Sequence, residues 1–332
     1  MDILFAPMQG ITDAPFRTVH AARFGGVTAY YMPFISPTQH DNLTNKELRD
    51  VLPEANAGLN AVPQVLTRDA EHFLFAANLL ADLGWREVNL NMGCPAGTVT
   101  AKGKGAGMLC SLSQLELFLD EVFRLSPLPI SIKTRLGWNA PEEFGEILNL
   151  LNQYPVKLLI LHARTRKQFY GGSVDEEAFT IAEQTAKMPL VYNGDLFSPE
   201  SCRRFAARHP QSAALMVGRG LAANPALARI FQGGPALSRQ ELRDFHEELL
   251  EIYCERFQPH AALGRMRELG KNMICCFSGA AKPMKAIRKA SSIEAYASAM
   301  RDLFENYPLR GDPGFLSDGS RAGHAVADSG GI

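Results

Sequence analysis

Val88-Asn89-Leu90-Asn91-Met92-Gly93-Cys94-Pro95 decides how this chain folds. Apolar Val88, Leu90 and Met92 alternate with Asn89 and Asn91, the period of a β-strand. Gly93 tolerates unusual backbone angles, and Pro95 fixes φ and ends the strand, so Cys94 sits on a turn at the strand's C-terminal end. The loop that follows, Gly97 to Gly107, reads as mobile and too polar for core. A thiol on a rigid turn under such a loop reads as a reacting group; the alternative is a buried cysteine that only packs.

Seven further apolar segments have the length of strands: Asp2 to Met8, Ala29 to Phe34, Ala61 to Leu66, Leu128 to Thr134, Lys157 to Ala163, Met188 to Gly194 and Ala214 to Gly220. Helical segments separate most of them. Asp13 caps one beginning at Ala14, Asp69 one that stops at Gly84, and Ser198 one with Pro199 at its first position. Eight strands alternating with helices over about 230 residues predict an α/β fold, a (β/α)8 TIM barrel. A doubly wound open sheet is disfavoured, because no G-x-G-x-x-G follows the first strand. Beyond Gln232-Gly233-Gly234-Pro235 only helical periodicity remains: Arg239 to Phe257, Ala261 to Phe277, Lys282 to Ala290 and Ile293 to Tyr307. The expected organisation is a catalytic barrel over 1–234, a C-terminal helical-bundle domain over 235–310 and a disordered Gly- and Ser-rich tail over 311–332.

With 332 residues, 46% hydrophobic and 21% charged, the chain has ample core, and its net charge of −1 confines any basic footprint to a local patch. The six cysteines form no C-x-x-C and no zinc-spaced cluster with histidine, which points to reduced thiols in a cytoplasm and to no metal. No apolar run is long enough to span a membrane.

A barrel carries its chemistry at the C-terminal ends of its strands, and the isolated polar residues Gln64, Asn91, Lys133, His162, Asn193 and Arg219 fall there. Val217-Gly218-Arg219-Gly220, ahead of a helix start at Asn224-Pro225, has the composition of an anion cradle. Asn193-Gly194-Asp195 adds backbone donors and a carboxylate suited to sugar-like hydroxyls. Together they suggest a phosphorylated cofactor with a polyol. Lys133, His162 and Gln64 would face its ring, and a cation beside a flavin's pyrimidine side stabilises the reduced anion.

The motifs Ala6-Pro7-Met8-Gln9-Gly10-Ile11-Thr12-Asp13, Asn91-Met92-Gly93-Cys94-Pro95, Lys133-Thr134-Arg135-Leu136-Gly137-Trp138, His162-Ala163-Arg164-Thr165-Arg166-Lys167-Gln168-Phe169-Tyr170, Asn193-Gly194-Asp195 and Gly218-Arg219-Gly220 run through the barrel in order. With them the chain resembles the tRNA-dihydrouridine synthases, FMN enzymes that reduce a uridine of tRNA. One departure is Ala163, where the family usually has glycine; its methyl group is expected to crowd the flavin ring slightly. The resemblance implies that Ala6, Pro7 and Met8 line the isoalloxazine, that Gln64, Lys133 and His162 bond its ring, and that Asn193, Gly194, Asp195, Gly218 and Arg219 hold the ribityl phosphate. It further implies that Asn91 and Arg164 orient the uracil, with Tyr170 near the rim, that Cys94 is the proton donor, and that NADPH or NADH is the reductant. The target base must leave the tRNA stack to reach the pocket.

For the tRNA itself, the segment Arg256 to Ala290 holds Arg256, Arg265, Arg267, Lys271, Lys282, Lys285, Arg288 and Lys289 against one acid, Glu268. Such segregation suits a phosphate-binding face, which Lys102 and Lys104 would extend to the pocket mouth. The enzyme is expected to act as a cytoplasmic monomer. Two other classes are open: an FMN barrel acting on a free small molecule, and an RNA-binding module without catalysis.

Overall fold

A computed structural model describes residues 1–37 and 43–311; apart from Gly311, the expected tail lies outside them. The eight expected strand segments form one parallel sheet: β1 (Asp2–Phe5), β2 (Ala29–Tyr31), β3 (Ala61–Val62), β4 (Gln64–Val65), β5 (Val88–Met92), β6 (Ile130–Arg135), β7 (Leu159–His162), β8 (Leu190–Asn193) and β9 (Ala214–Val217). β3 and β4 are two halves of one segment, interrupted at Pro63, which has no N–H to give. The order β3-β2-β1-β9-β8-β7-β6-β5-β4 therefore begins and ends on the same piece of chain. Met32 N–H donates to Val62 O at 2.9 Å, and Asn89 N–H donates to Pro63 O at 2.9 Å, so the kinked segment bonds on both sides and the barrel closes.

Alternation along the strands sorts side chains into two layers. Val88, Leu90 and Met92 of β5 enter the large outer core between barrel and helices, as do Ile130 and Ile132 of β6 and Leu159 and Leu161 of β7. Leu4, Ala6, Ala29, Tyr31, Val62, Ile160, Val191, Ala214 and Met216 form a separate inner cluster. Across β4, β5 and β6 the inward positions are polar instead: Gln64, Asn89 and Ser131 are fully buried register neighbours. The barrel interior thus has an oily half and an amide-lined half.

The helical region begins with Arg239–Arg256 and continues through Pro259–Met273, Ala281–Lys289 and Ile293–Asn306, the four expected helices. It shares one continuous apolar core with the barrel. Phe245 makes edge contacts with Phe16 and Phe24 of the first barrel helix region. His20, beneath them, is buried; its Nε2 faces Pro225 O at 2.9 Å, so that nitrogen donates and Nδ1 accepts from Tyr30 OH at 2.8 Å. Burial pushes its pKa down to about 3, so it is a neutral packing group.

Two expectations need correction. The segment after Cys94 is folded: it contains a short helix Gly97–Thr100 and a 3-10 turn Gly105–Cys110, and Ala106, Met108 and Leu109 are buried. Its polar sequence comes from glycine and lysine at tight turns, while the small apolar residues between them pack. The expected helix start at Asn224-Pro225 leads into Leu227–Phe231, but an additional short helix, Arg219–Ala223 with Gly218 as its cap, precedes it where the strand segment was expected to run on to Gly220.

Candidate active site

Cys94 is held from both sides of its turn. The Asn91 carboxamide oxygen accepts from the backbone N–H of Gly93 at 3.1 Å and of Cys94 at 2.9 Å. Arg135 Nε donates to Gly93 O at 2.9 Å, and its Nη1 donates to Thr165 O at 2.9 Å and Phe169 O at 2.7 Å, tying the turn to the loop after β7. From above, Ala106 N–H donates to Cys94 O at 3.0 Å. Gly105 makes that approach possible: its φ is +58°, and a Cβ there would lie 2.8 Å from Cys94 O. Burial raises the thiol pKa, opposed by a backbone hydrogen bond at Ala96 and by the charges of Arg135 and Lys133. Cys94 is therefore a thiol, not a thiolate, at neutral pH.

Lys133 comes from the inward face of β6. Its Nζ donates to Asn193 Oδ1 at 2.9 Å, and Asn193 Nδ2 donates to Met216 O at 2.8 Å. Burial, aided by the Arg135 charge, lowers the Lys133 pKa to about 7. His162 at the end of β7 is held well below its ordinary value, first by burial and then by Arg135, Lys133, Arg164 and Arg219. It is neutral, with Nε2 facing Arg164 Nη1 at 3.5 Å.

Arg164 explains the loop after β7. Its side chain, 1% exposed, donates to both oxygens of Asp195 at 2.9 and 2.5 Å and to Gly172 O at 2.6 Å. Asp195 Oδ1 also accepts from Arg219 Nη2 at 3.0 Å, so one carboxylate joins the ends of β7, β8 and β9. Within the same loop, Gln168 Oε1 accepts from Thr165 N–H at 2.7 Å and closes the tight turn between them. Tyr170, half exposed, stands over the rim, its ring 5.4 Å from the Arg135 guanidinium carbon and 5.3 Å from that of Arg219. Gly218 lets β9 approach the first turn: a Cβ there would lie 3.3 Å from Ala6 Cβ and 3.5 Å from Met8 Sδ.

The structure thus gathers Gln64, Asn91, Cys94, Lys133, His162, Arg164, Tyr170, Asn193, Asp195, Gly218 and Arg219 on one end of the barrel with Ala6 and Met8. Two of them also hold the site itself: Asn91 bonds Gln64 and the Cys94 turn, and Arg164 bonds Asp195. Ala163 departs from expectation. Its side chain belongs to the outer core, because His162 takes the inward position, so its methyl group does not crowd the interior.

The basic residues divide. Lys282, Lys285, Arg288 and Lys289 are all exposed on the helix Ala281–Lys289, whose Pro283 and Ile287 face inward. Lys102 is exposed above the barrel mouth, near Lys104. Lys271 pairs with Glu268. Arg265 is not among these exposed bases: it pairs with Asp13, and its guanidinium carbon lies 3.9 Å from the Phe257 ring centre, in the seam between barrel and helices. Sequence reasoning gave no role to Arg135 or Arg68. Arg135 was findable, since 131, 133 and 135 share a strand face; Arg68, which acts electrostatically on Lys104, lies on a loop with no such signal.

A family model described as dihydrouridine synthase matches residues 4–305. A probable tRNA-dihydrouridine synthase of Rhodobacter capsulatus is 32% identical over 314 residues, 91% of this chain and 94% of that one. A tRNA-dihydrouridine synthase B of Pasteurella multocida is 29% identical over 69% of this chain and 68% of its own. Among solved structures, a variant of NCR from Zymomonas mobilis superposes with a TM-score of 0.51 at 16% identity, covering 71% of this chain and 88% of that one. Morphinone reductase gives 0.50 at 12% identity, covering 72% and 87%. At that identity the likeness concerns the barrel fold.

Proposed function

The chain belongs to the dihydrouridine synthase family, and from that premise we propose that it reduces a uridine of tRNA to 5,6-dihydrouridine, with FMN as cofactor, NADPH or NADH as reductant and Cys94 as proton donor. The observation that carries the proposal is the Cys94 turn, pinned by Asn91 and Arg135 on the same rim as Lys133 and His162, with burial raising the thiol pKa.

The site suits an anionic, phosphorylated cofactor. Lys133, Arg135, Arg164 and Arg219 converge on neutral His162. Arg164 and Arg219 share the Asp195 carboxylate, whereas Lys133 and Arg135 bond neutral oxygens. That leaves a positive balance for an anion to offset. Arg219, Gly218, Gly194, Asp195 and Asn193 would hold the ribityl phosphate, and Gln64, Lys133 and His162 the ring edge, with Ala6, Pro7 and Met8 against its face.

When bound, the flavin supplies a hydride to C6 of the uracil. Cys94 Sγ–H gives its proton to C5, so hydride and proton together saturate the C5–C6 bond. The thiolate left behind is stabilised by the Lys133 and Arg135 charges, and Lys133, with a pKa of about 7, is suited to return a proton at neutral pH. Asn91 and Arg164 orient the uracil and the turns around it, and Tyr170 offers an aromatic face to the flipped base. Lys285 and Lys289, with Lys102 at the mouth, grip the tRNA backbone. Among the described residues no helix is long and apolar enough to cross a membrane. We place the enzyme in the cytoplasm, with its tRNA, as a single chain.

The test is to incubate purified protein with reduced nicotinamide and either unmodified tRNA or free uridine, and to measure dihydrouridine by mass spectrometry. Product from tRNA alone is expected. Product from neither substrate overturns the reading, and preferential reduction of the free nucleoside moves it to small-molecule chemistry.

A further inference from the structure

A continuous chain of side-chain hydrogen bonds crosses the amide-lined half of the barrel, from its floor to the Cys94 turn. Ser131 Oγ donates to Glu87 Oε1 at 2.5 Å. Asn89 Nδ2 donates to Ser131 Oγ at 2.9 Å, and Gln64 Nε2 donates to Asn89 Oδ1 at 2.7 Å. Asn91 Nδ2 then donates to Gln64 Oε1 at 2.8 Å, and Asn91 Oδ1 accepts from the Cys94 N–H at 2.9 Å. Gln64, Asn89 and Ser131 are fully buried, and they are adjacent in register across β4, β5 and β6.

The chain has one polarity, and its two ends impose it. Glu87, paired with Lys157 at the floor, is a carboxylate and can only accept. The backbone N–H groups of Gly93 and Cys94 can only donate. Between them each amide has a single orientation that satisfies both neighbours. Reversing any one would set two N–H groups, or two oxygens, against each other inside the barrel. A carboxamide is otherwise indifferent to a flip: the turn N–H groups choose for Asn91, and Asn89 and Asn91 choose for Gln64.

We propose that Glu87, Ser131 and Asn89 are positioning residues that, through the amides of Gln64 and Asn91, fix the turn presenting Cys94. They touch neither Cys94 nor the rim. What would not survive their replacement by apolar residues is the fixed orientation of Gln64, whose Oε1 anchors the Asn91 amide beneath the Cys94 turn. Satisfied buried networks of this kind hold one conformation against its alternatives. The inference rests on Cys94 being the reacting thiol, but its test does not.

The test is the rate at which iodoacetamide alkylates Cys94 in the full chain at fixed pH, followed peptide by peptide with mass spectrometry, with exposed Cys110 as the internal reference. Ser131→Ala and Asn89→Leu are expected to raise the Cys94 rate by about fivefold or more, the factor one net hydrogen bond carries, while Cys110 stays unchanged. Glu87→Gln keeps an acceptor oxygen for Ser131 and is expected to leave Cys94 reactivity near native. Unchanged Cys94 rates in both breaking variants would overturn the proposal. So would equal increases at Cys94 and Cys110, which mean general loosening, or a Glu87→Gln rate as high as that of Ser131→Ala. Ser131→Ala removes a single oxygen and keeps the test open if Asn89→Leu fails to fold. An active Cys94→Ala enzyme would remove the proton-donor role and leave this result standing.

Discussion

Asp13 and Arg265, 252 residues apart, meet at 3.1 Å in the seam between the barrel and the helices. Asp13 also caps the first barrel helix by accepting from Phe16 N–H, and accepts from Tyr253 OH at 2.6 Å. One carboxylate thus starts a barrel helix and docks two helices of the C-terminal region.

Docking through a buried carboxylate has a pH signature. Burial raises the Asp13 pKa, with Asp50 adding to the rise, against the lowering by Tyr253 and Arg265. The folded state therefore binds the proton more tightly than the unfolded one. Asp13 favours folding fully below the ordinary carboxylate range, and that contribution is lost as pH rises through its folded pKa. Asn in its place keeps one oxygen, for Tyr253 or for Arg265, and removes the titrating group. The stability of the native protein relative to Asp13→Asn is expected to fall as pH rises from about 4, measured by urea unfolding. A difference that is flat, or grows with pH, would contradict the assignment. Arg265→Ala, which strands the carboxylate, is expected to cost about 1–3 kcal/mol at neutral pH.

Cys94→Ala is expected to keep flavin and to accept reducing equivalents from nicotinamide at the native rate, because no proton from the thiol enters that half-reaction. Dihydrouridine formation should fall by about 10²–10⁴-fold, the usual weight of a general acid. Stopped-flow reduction followed by product analysis separates the two halves. Native turnover of tRNA would make the thiol a packing group.

Arg219→Ala removes a cation bonded to Asp195 at the rim. Flavin retention should weaken by roughly 1.5–3 kcal/mol, the worth of a charge-assisted hydrogen bond. Equilibrium dialysis against FMN reads the change. Unaltered affinity would place the phosphate away from Gly218-Arg219.

Lys285→Glu combined with Lys289→Glu reverses two exposed charges on the helix Ala281–Lys289. The tRNA KM should rise and its dependence on salt should flatten, since fewer counterions are released on binding. Flavin content and nicotinamide oxidation should not change. An unaffected salt slope would put the tRNA face elsewhere.

The sequence by itself determined the barrel, because strand alternation and helix caps are local. Val88, Leu90 and Met92 need an outer core, and Asn89 and Asn91 then have no face left but the interior. It also located the rim, since strand ends are where isolated polar residues are tolerated. Tertiary structure alone decided which oxygen meets which proton. Asp195 reads as a sugar ligand beside Asn193 and Gly194, yet only the closed ring brings Arg164 and Arg219 to it. Arg265 reads as one more base in a basic run, and it is spent on Asp13 because a helix from the far end of the chain packs there. Spacing along a strand fixes which face a side chain takes; partners come from elements that pack only after the barrel has closed.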